Sequence, residues 1–498
     1  IHLSAELGHF LIGVVSKYVA RDIHYGTKAC FVNGNNPLGA GGQRFNISEC
    51  IVANNETICA TVKSQDGASA CHWDWTGLGG EYQFLAGPSF MAMFTIASIL
   101  WGILADKYDR VYILFSSSLL FSLALVFTSV STRFWHLVVF RMMLAVGVAG
   151  VAPIAPGIIF DMFDSSERAM AMGFFHWGIY LGNGLTFVVG KYITEANLFN
   201  AGWRSTFVLT GLPGALLAIL VLFTVDDPPK SHKSERQLTK NGSSKKHGNT
   251  YRHHHHHGLE TESPEDDAEA TEDCCESVDE AQVLISGGGS CQNKTVSSTT
   301  GAVSCCLQPA VIFLGLAACL RHSAGYTWGY NSALYFQTYF PNYSSASIWL
   351  TWITIGGGSL GVILGGYVSD RLVSRLGISS RALVLAGSQI IATPFALGLL
   401  YLKPPYAFMS LFIGYLFAEM WYGVVFAILV ELLPASFRSL GLAISLFVVN
   451  NVGGNLPIIV TPLTNLVGFR GALTILYPGA LFTSSILFFF TYVALLRK

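Results

Sequence analysis

An all-α membrane protein built from two related helical halves is what this sequence predicts, on three observations. Of 498 residues, 52% are hydrophobic and only 12% charged, about half the charge of a soluble domain. Long apolar runs follow one another with turns of a few residues between them. Short polar motifs recur in the same order at offsets of 264 to 271 residues. The net charge of −1 gives no basis for a nucleic-acid partner, which leaves membrane lipids and a small organic or lipid solute.

Runs of about 20 residues with at most one or two charges lie at about 84–105, 111–131, 137–160, 170–193 and 205–225, and again at 309–339, 346–369, 381–402, 405–431, 438–465 and 471–496. At about 1.5 Å rise per residue, each can cross a hydrocarbon core about 30 Å thick. These are about eleven full transmembrane helices, five before a polar linker and six after it. The repeats account for the odd number. Gly102, Asp106 and Arg110 recur as Gly366, Asp370 and Arg375; Arg168 with Gly173 recurs as Arg438 with Gly441; "LGNGL" at 181–185 recurs as "VGGNL" at 452–456, and "GWR" at 202–204 as "GFR" at 468–470. Four matches in one order indicate duplication. Six helices in the second half predict six in the first, so the first helix is expected to be absent or truncated in this chain.

Residues 1–25 carry Glu6, His9, Lys17, Arg21 and Asp22, too much charge for a lipid-facing span. They are expected to be the remnant of that first helix, or an amphipathic segment. The remaining division is a Cys-rich, glycosylated extracytoplasmic loop at 26–83, helices 2–6 at 84–225, a disordered cytoplasmic linker at 226–308 and helices 7–12 at 309–498. The linker is basic, then acidic, then rich in Ser, Thr and Gly, a composition that cannot bury a core.

Charge sets the sidedness. Short loops on the side of residues 106–110 hold nine cations, Lys107, Arg110, Arg168, Arg371, Arg375, Arg381, Arg438, Arg497 and Lys498, against five on the other side. The positive-inside rule makes the first side, the linker and the C-terminus cytoplasmic. The sequons at Asn46, Asn55 and Asn342 then face outward and are expected to carry glycans. Cys30, Cys50, Cys59 and Cys71 share the outer loop, a disulfide-permissive place, with three pairings open. Their spacing lacks a zinc knuckle, and no metal site is expected. Nor does any phosphate loop, metal cluster or Ser–His–Asp context point to an enzyme.

Two halves joined by a polar loop suit a secondary transporter whose solute site near the midplane alternates its exposure. "GILADKYDR", repeated in the second half, resembles the loop between helices 2 and 3 of the major facilitator superfamily. That resemblance covers about residues 84–496 and implies the superfamily's fold. It also implies an inner gate, in which Asp106 faces the start of helix 11 at Arg438 and Arg110 pairs with Asp161, with small Gly102 letting the helices approach closely. Gly366, Asp370 and Arg375 are the expected counterpart.

Ionisable groups within spans are costly and default to functional candidates. Arg141 in helix 4, Arg321 beside His322 in helix 7, and Glu419 midway along helix 10 are such groups, on helices that line the central cavity of the superfamily. They form a coherent site for an anionic headgroup, with Glu419 as countercharge or proton carrier. His176 and Asn183 in helix 5 and Asn450 in helix 11 add hydrogen-bonding capacity, though each alone is more often an interhelical contact. The run "RMMLAVGVAGVAPIAPGIIFDMF" with "LGNGL" further on resembles spinster-type transporters, in which Arg141, Asp161 and Glu419 fall at matching positions. The resemblance implies export of a sphingolipid or lysolipid, coupled to a proton or Na⁺ and without a cofactor, in the plasma membrane or an endolysosomal membrane. An organic-ion or sugar carrier of the same superfamily is the alternative, and a non-transporting receptor or scaffold a further one. The acidic–basic pair of the spinster first helix is expected to lie outside this sequence.

Overall fold

The computed structural model describes residues 1–32, 55–61, 71–162, 168–225, 308–341, 343–433 and 438–497. The linker lies outside them, as do Asn46, Cys50 and Asn342, and nothing is assigned to those positions.

Residues 2–23 make up most of the stretch expected to be a helix remnant or an amphipathic segment. They form one continuous 22-residue helix, α1 (His2–Ile23), about 33 Å long, and Ala5, Leu11, Val15, Val19 and Ala20 on it are wholly buried. Its charges meet partners within the protein: Glu6 lies 3.6 Å from His9, Arg21 is 2.7 Å from Asp74, and Asp22 pairs with Arg204. The rest of the first half is α2 (Glu56–Thr61), α3 (Gly80–Ala86), α4 (Pro88–Lys107), α5 (Arg110–Thr128), α6 (Phe134–Met162), α7 (Arg168–Ala196) and α8 (Trp203–Thr224). The second half is α9 (Pro309–Tyr339), α10 (Ala346–Trp352), α11 (Gly358–Leu376), α12 (Ser380–Tyr401), α13 (Tyr406–Ala418), α14 (Tyr422–Leu432), α15 (Arg438–Val448), α16 (Val460–Leu476) and α17 (Pro478–Leu496). Among the described residues, eight stretches are long and apolar enough to cross a membrane, and α1, α7 and α9 are not among them. Of these three more polar helices, α1 packs against both α7 and α9, which brings it to the place where the halves meet.

The duplicated glycines show why. A Cβ on Gly182 of α7 would lie 2.5 Å from the Leu3 carbonyl oxygen of α1, and one on Gly453 would lie 2.7 Å from the Cys319 carbonyl oxygen of α9. Thus α1 holds in the first half the place α9 holds in the second. The other repeated motif has a backbone reason as well: Gly202 (φ 51°) and Gly468 (φ 76°) both adopt positive φ, which lets a tight turn reverse the chain into the last helix of each half. The arginine two residues on is then used differently. Arg204 donates to Ser131 and Asp22, whereas Arg470 sits 4.3 Å from the Tyr339 ring.

Helix breaks matter more than helix counts. Gly87–Pro88 separates α3 from α4, since proline disfavours helical geometry at the residue before it, and Gly87 takes φ −97°, ψ −85°. A 3₁₀ turn at Glu419–Trp421 separates α13 from α14. Each break releases carbonyls from the helical ladder into the interior.

The outer segment is more ordered than a loop. β1 (Lys28–Val32) pairs antiparallel with β2 (Cys71–Trp75), with Cys30 opposite Trp73. Cys30 is disulfide-bonded to Cys59, and Cys71 is also in a disulfide. Lys17 and Arg21 of α1 lie over the Phe31 ring at 4.6 and 5.2 Å, and the Ser16 hydroxyl donates to the Gly77 carbonyl at 2.7 Å. This segment marks one end of the bundle, called here the insert face; the opposite end, with Arg110 and Asp370, is the linker face. Asn55 caps α2, its Oδ1 accepting from the Ile58 amide at 2.8 Å and the Thr57 hydroxyl at 2.9 Å. Its amide nitrogen is left for solvent, as glycan attachment requires.

Candidate functional site

Arg321 projects from the fourth turn of α9 and is 2% exposed. The break after α13 supplies its main partner: the Ala418 carbonyl accepts from Arg321 Nε at 3.0 Å and Nη2 at 2.7 Å, and also from Gln389 Nε2 at 3.3 Å. Nη2 also donates to Glu419 Oε1 at 3.0 Å, and the guanidinium stacks over Trp421 at 5.2 Å. Burying such a pair is affordable only when both charges are paired and hydrogen-bonded. Both are, except for Nη1, which hydrogen-bonds to no other described residue. Across the interface the Tyr180 hydroxyl of α7 donates to Glu419 Oε2 at 3.4 Å.

A second acid–base pair stands opposite. On α1, Glu6 lies beside His9, whose ring stacks on Phe90 at 3.9 Å and is hydrogen-bonded through Nε2 to the Tyr330 hydroxyl of α9 at 3.1 Å. Each half therefore offers an acid–base pair that reaches a tyrosine of the other half. Further bonds join the halves: Gln83 donates to Asn331 at 2.8 Å, Thr95 to Asn451 at 3.1 Å and Thr351 to the Gly184 carbonyl at 2.9 Å, with Tyr82 bonded to the Tyr330 carbonyl and Lys191 to that of Ser344.

The other sequence candidates are placed as follows. Arg141 is 5% exposed, with Nη1 on the His9 carbonyl at 2.7 Å and Nε and Nη2 on the Leu85 and Ala86 carbonyls at 3.3 Å each. It plugs the break between α3 and α4, with these three nitrogens on backbone carbonyls. His322 stacks edge-on to Tyr326 at 4.7 Å, and Asn450 lies against it. Asn183 buries Oδ1 with no hydrogen bond among the described residues, whereas His176 is exposed. Between these two on α7, Tyr180 is the residue that reaches Glu419. Glu6 and His9 were missed because their segment read as a remnant, although an acid and a histidine three apart share a helix face.

At the linker face, the side chains of Asp106, Asp161 and Arg438 lie outside the described ones. Arg110 is buried, with Nη1 3.7 Å from a Cβ built on Gly157, one turn before Asp161. Gly102 and Gly366 have no described atom within 4 Å of such a Cβ, so the close approach expected at Gly102 is absent among the described residues. In the second half Asp370 pairs with Arg381 at 2.9 Å, and Arg381 with Glu431 at 3.1 Å. Arg381 follows Arg110 by 271 positions, Glu431 follows Asp161 by 270, and both arginines open a helix. Arg381 thus takes the place the sequence repeat gave to Arg375, which is exposed at the end of α11.

A model of the Major Facilitator Superfamily matches residues 76–462. The chain belongs to that superfamily. Its members are membrane transporters and not enzymes, and within it the sequence is spinster-like. It is 29% identical to spinster homolog 3 of Danio rerio over 143 residues, 28% of this chain and 28% of that protein. It is 31% identical to the sphingosine-1-phosphate transporter SPNS2 of Xenopus tropicalis over 150 residues, 29% of this chain and 28% of that one. The matched stretches span less than a third of either relative. Among solved structures, a bacterial homolog of the human lysosomal transporter Spinster superposes with a TM-score of 0.62 at 15% identity, covering 99% of this chain and 94% of that one. A D-xylose–proton symporter superposes with a TM-score of 0.59 at 15% identity, covering 98% and 96%. At that identity these structures share the fold.

Proposed function

We propose that this chain is a secondary active transporter that carries an amphipathic anion, a lysolipid or sphingolipid, by alternating access between its halves. One observation carries the reading: Arg321 and Glu419 form a buried pair at the interface, with Tyr180 of the opposite half on the carboxylate and Arg321 Nη1 left over for a ligand oxygen. An anionic headgroup takes that donor and competes with Glu419 for the rest of the guanidinium, and a proton on Glu419 or on the Glu6–His9 pair then compensates the charge. The kinship with the sphingosine-1-phosphate transporter of Xenopus tropicalis supports a lipid-like solute. The insert face, with its disulfides, is the extracytoplasmic one.

Uptake of labelled lysophosphatidylcholine and sphingosine 1-phosphate into proteoliposomes, beside a small organic anion and a sugar, tests this. Saturable lysolipid flux, accelerated by a pH gradient and cut at least tenfold by Arg321→Gln, is expected. Flux of the sugar or small anion alone overturns the solute class; no saturable flux at all overturns the transporter.

A further inference from the structure

A cleft of about 190 Å³ opens on the insert face where the halves meet. One wall carries Lys17 and Arg21 of α1 with Lys191 and Glu195 of α7; the other carries Phe336 and Phe340 of α9. The charges are unequally satisfied. Arg21 Nε is held by Asp74 at 2.7 Å, and Glu195 accepts from the Tyr18 hydroxyl at 3.3 Å. Lys17 lies over the Phe31 ring at 4.6 Å, and Lys191 spends one proton on the Ser344 carbonyl of the other half. Neither lysine has a carboxylate in salt-bridge range among the described residues. The lining therefore holds three cations against Glu195, with Asp74 behind Arg21, and one positive charge remains in a concave site that focuses its field. Opposite that charge lies an aromatic floor.

We propose that this cleft is a second binding site, for a small organic anion whose carboxylate or phosphate lies between Lys17 and Lys191 and whose apolar part rests on Phe336 and Phe340. It is distinct from the Arg321 site, its aromatic floor lying at the C-terminal end of α9, 15 or more residues beyond Arg321. Its walls belong to different halves, which must part if the insert face opens. An occupant touching both holds that face closed, as a bound ligand stabilises whichever state it prefers. The anion is thus an inhibitor acting from the insert side; this effect on flux rests on the transporter reading, whereas the binding does not.

Calorimetry on the full chain in lipid nanodiscs tests the site, with phenyl phosphate and benzoate as probes and benzamide as their neutral counterpart. Saturable binding of either anion is expected, at least tenfold weaker for benzamide and for Lys17→Gln/Lys191→Gln, and restored by Lys17→Arg/Lys191→Arg. Phenyl phosphate alone binding identifies a phosphate site; benzoate binding as well identifies a general organic-anion site. Equal binding of benzamide, or an unchanged double glutamine variant, overturns the proposal. Arg321→Gln should leave the heat unchanged; if binding disappears with it, the probe sits in the central site and the proposal fails. Where uptake is measurable, phenyl phosphate on the insert side slows it in the parent protein and not in the glutamine variant.

Discussion

Arg141 and Arg321 are two cations buried in apolar helices, 5% and 2% exposed, each beside a helix break that releases carbonyls. Arg141 spends three nitrogens on three backbone carbonyls and has no carboxylate among its described partners. Arg321 is anchored by one carbonyl and shares the rest of its fork with Glu419. A backbone carbonyl cannot leave or change charge, whereas a carboxylate can swing away or take a proton. The first arrangement is a plug. The second can exchange partners, which is what a solute site needs.

The largest expected effect tests the plug. Arg141→Met removes a donor from three buried carbonyls, of which that of Leu85 keeps the Ser89 hydroxyl at 2.8 Å, at about 1–3 kcal/mol for each one left bare, so the melting temperature and the yield of monodisperse protein should both fall sharply. A stable but transport-dead Arg141→Met would instead place Arg141 among the solute ligands and break the comparison. Next in size is Arg321→Gln, which should cost uptake more than tenfold while melting well above Arg141→Met. Glu419→Gln should sharpen the contrast: Arg321 keeps its Ala418 anchor, solute affinity measured by equilibrium binding rises at least threefold, and the pH-gradient stimulation is lost.

Smaller effects belong to the partly exposed groups. Arg381→Gln breaks two ion pairs at the linker face and should cost about 1 kcal/mol, whereas Arg375→Gln should stay within about 0.5 kcal/mol. Paired thermal melts measure that difference, and equal effects would restore Arg375 as the counterpart of Arg110. Smallest of all is Tyr180→Phe. Loss of a 3.4 Å hydrogen bond is worth about 0.5–1 kcal/mol, a shift of about two- to fivefold in labelling of Gly102→Cys from the linker face.

Legibility followed how local each signal was. Apolar runs announce their helices, and the offsets of LGNGL and GWR announced two halves, because glycine contacts and positive-φ turns recur wherever the architecture does. Arg321 and Glu419 were legible as costly charges. What failed was partnership. The charge on α1 counted against a span because sequence shows the charges and not Asp74, Arg204 or Tyr330, which neutralise or bond them from 53 to 321 positions away. Sequence likewise showed Arg141 without the carbonyls that it bonds, since Gly87–Pro88 did not advertise which ones it would free. Arg375 was chosen over Arg381 because motif spacing tracks loop length, and the second loop is longer.

The polarity of α1, α7 and α9 bears on how the protein is made. A helix emerging from the ribosome partitions into lipid by its own apolarity, and α1 carries His, Asp, Glu, Lys or Arg at six positions, several of whose partners are synthesised later. His9 finds Tyr330 only after another 321 residues have been added. Helix α1 is therefore among the last to find its partners, and an insertion chaperone that shelters polar helices should matter more to this protein's biogenesis than the apolarity of its eight lipid-ready stretches would indicate.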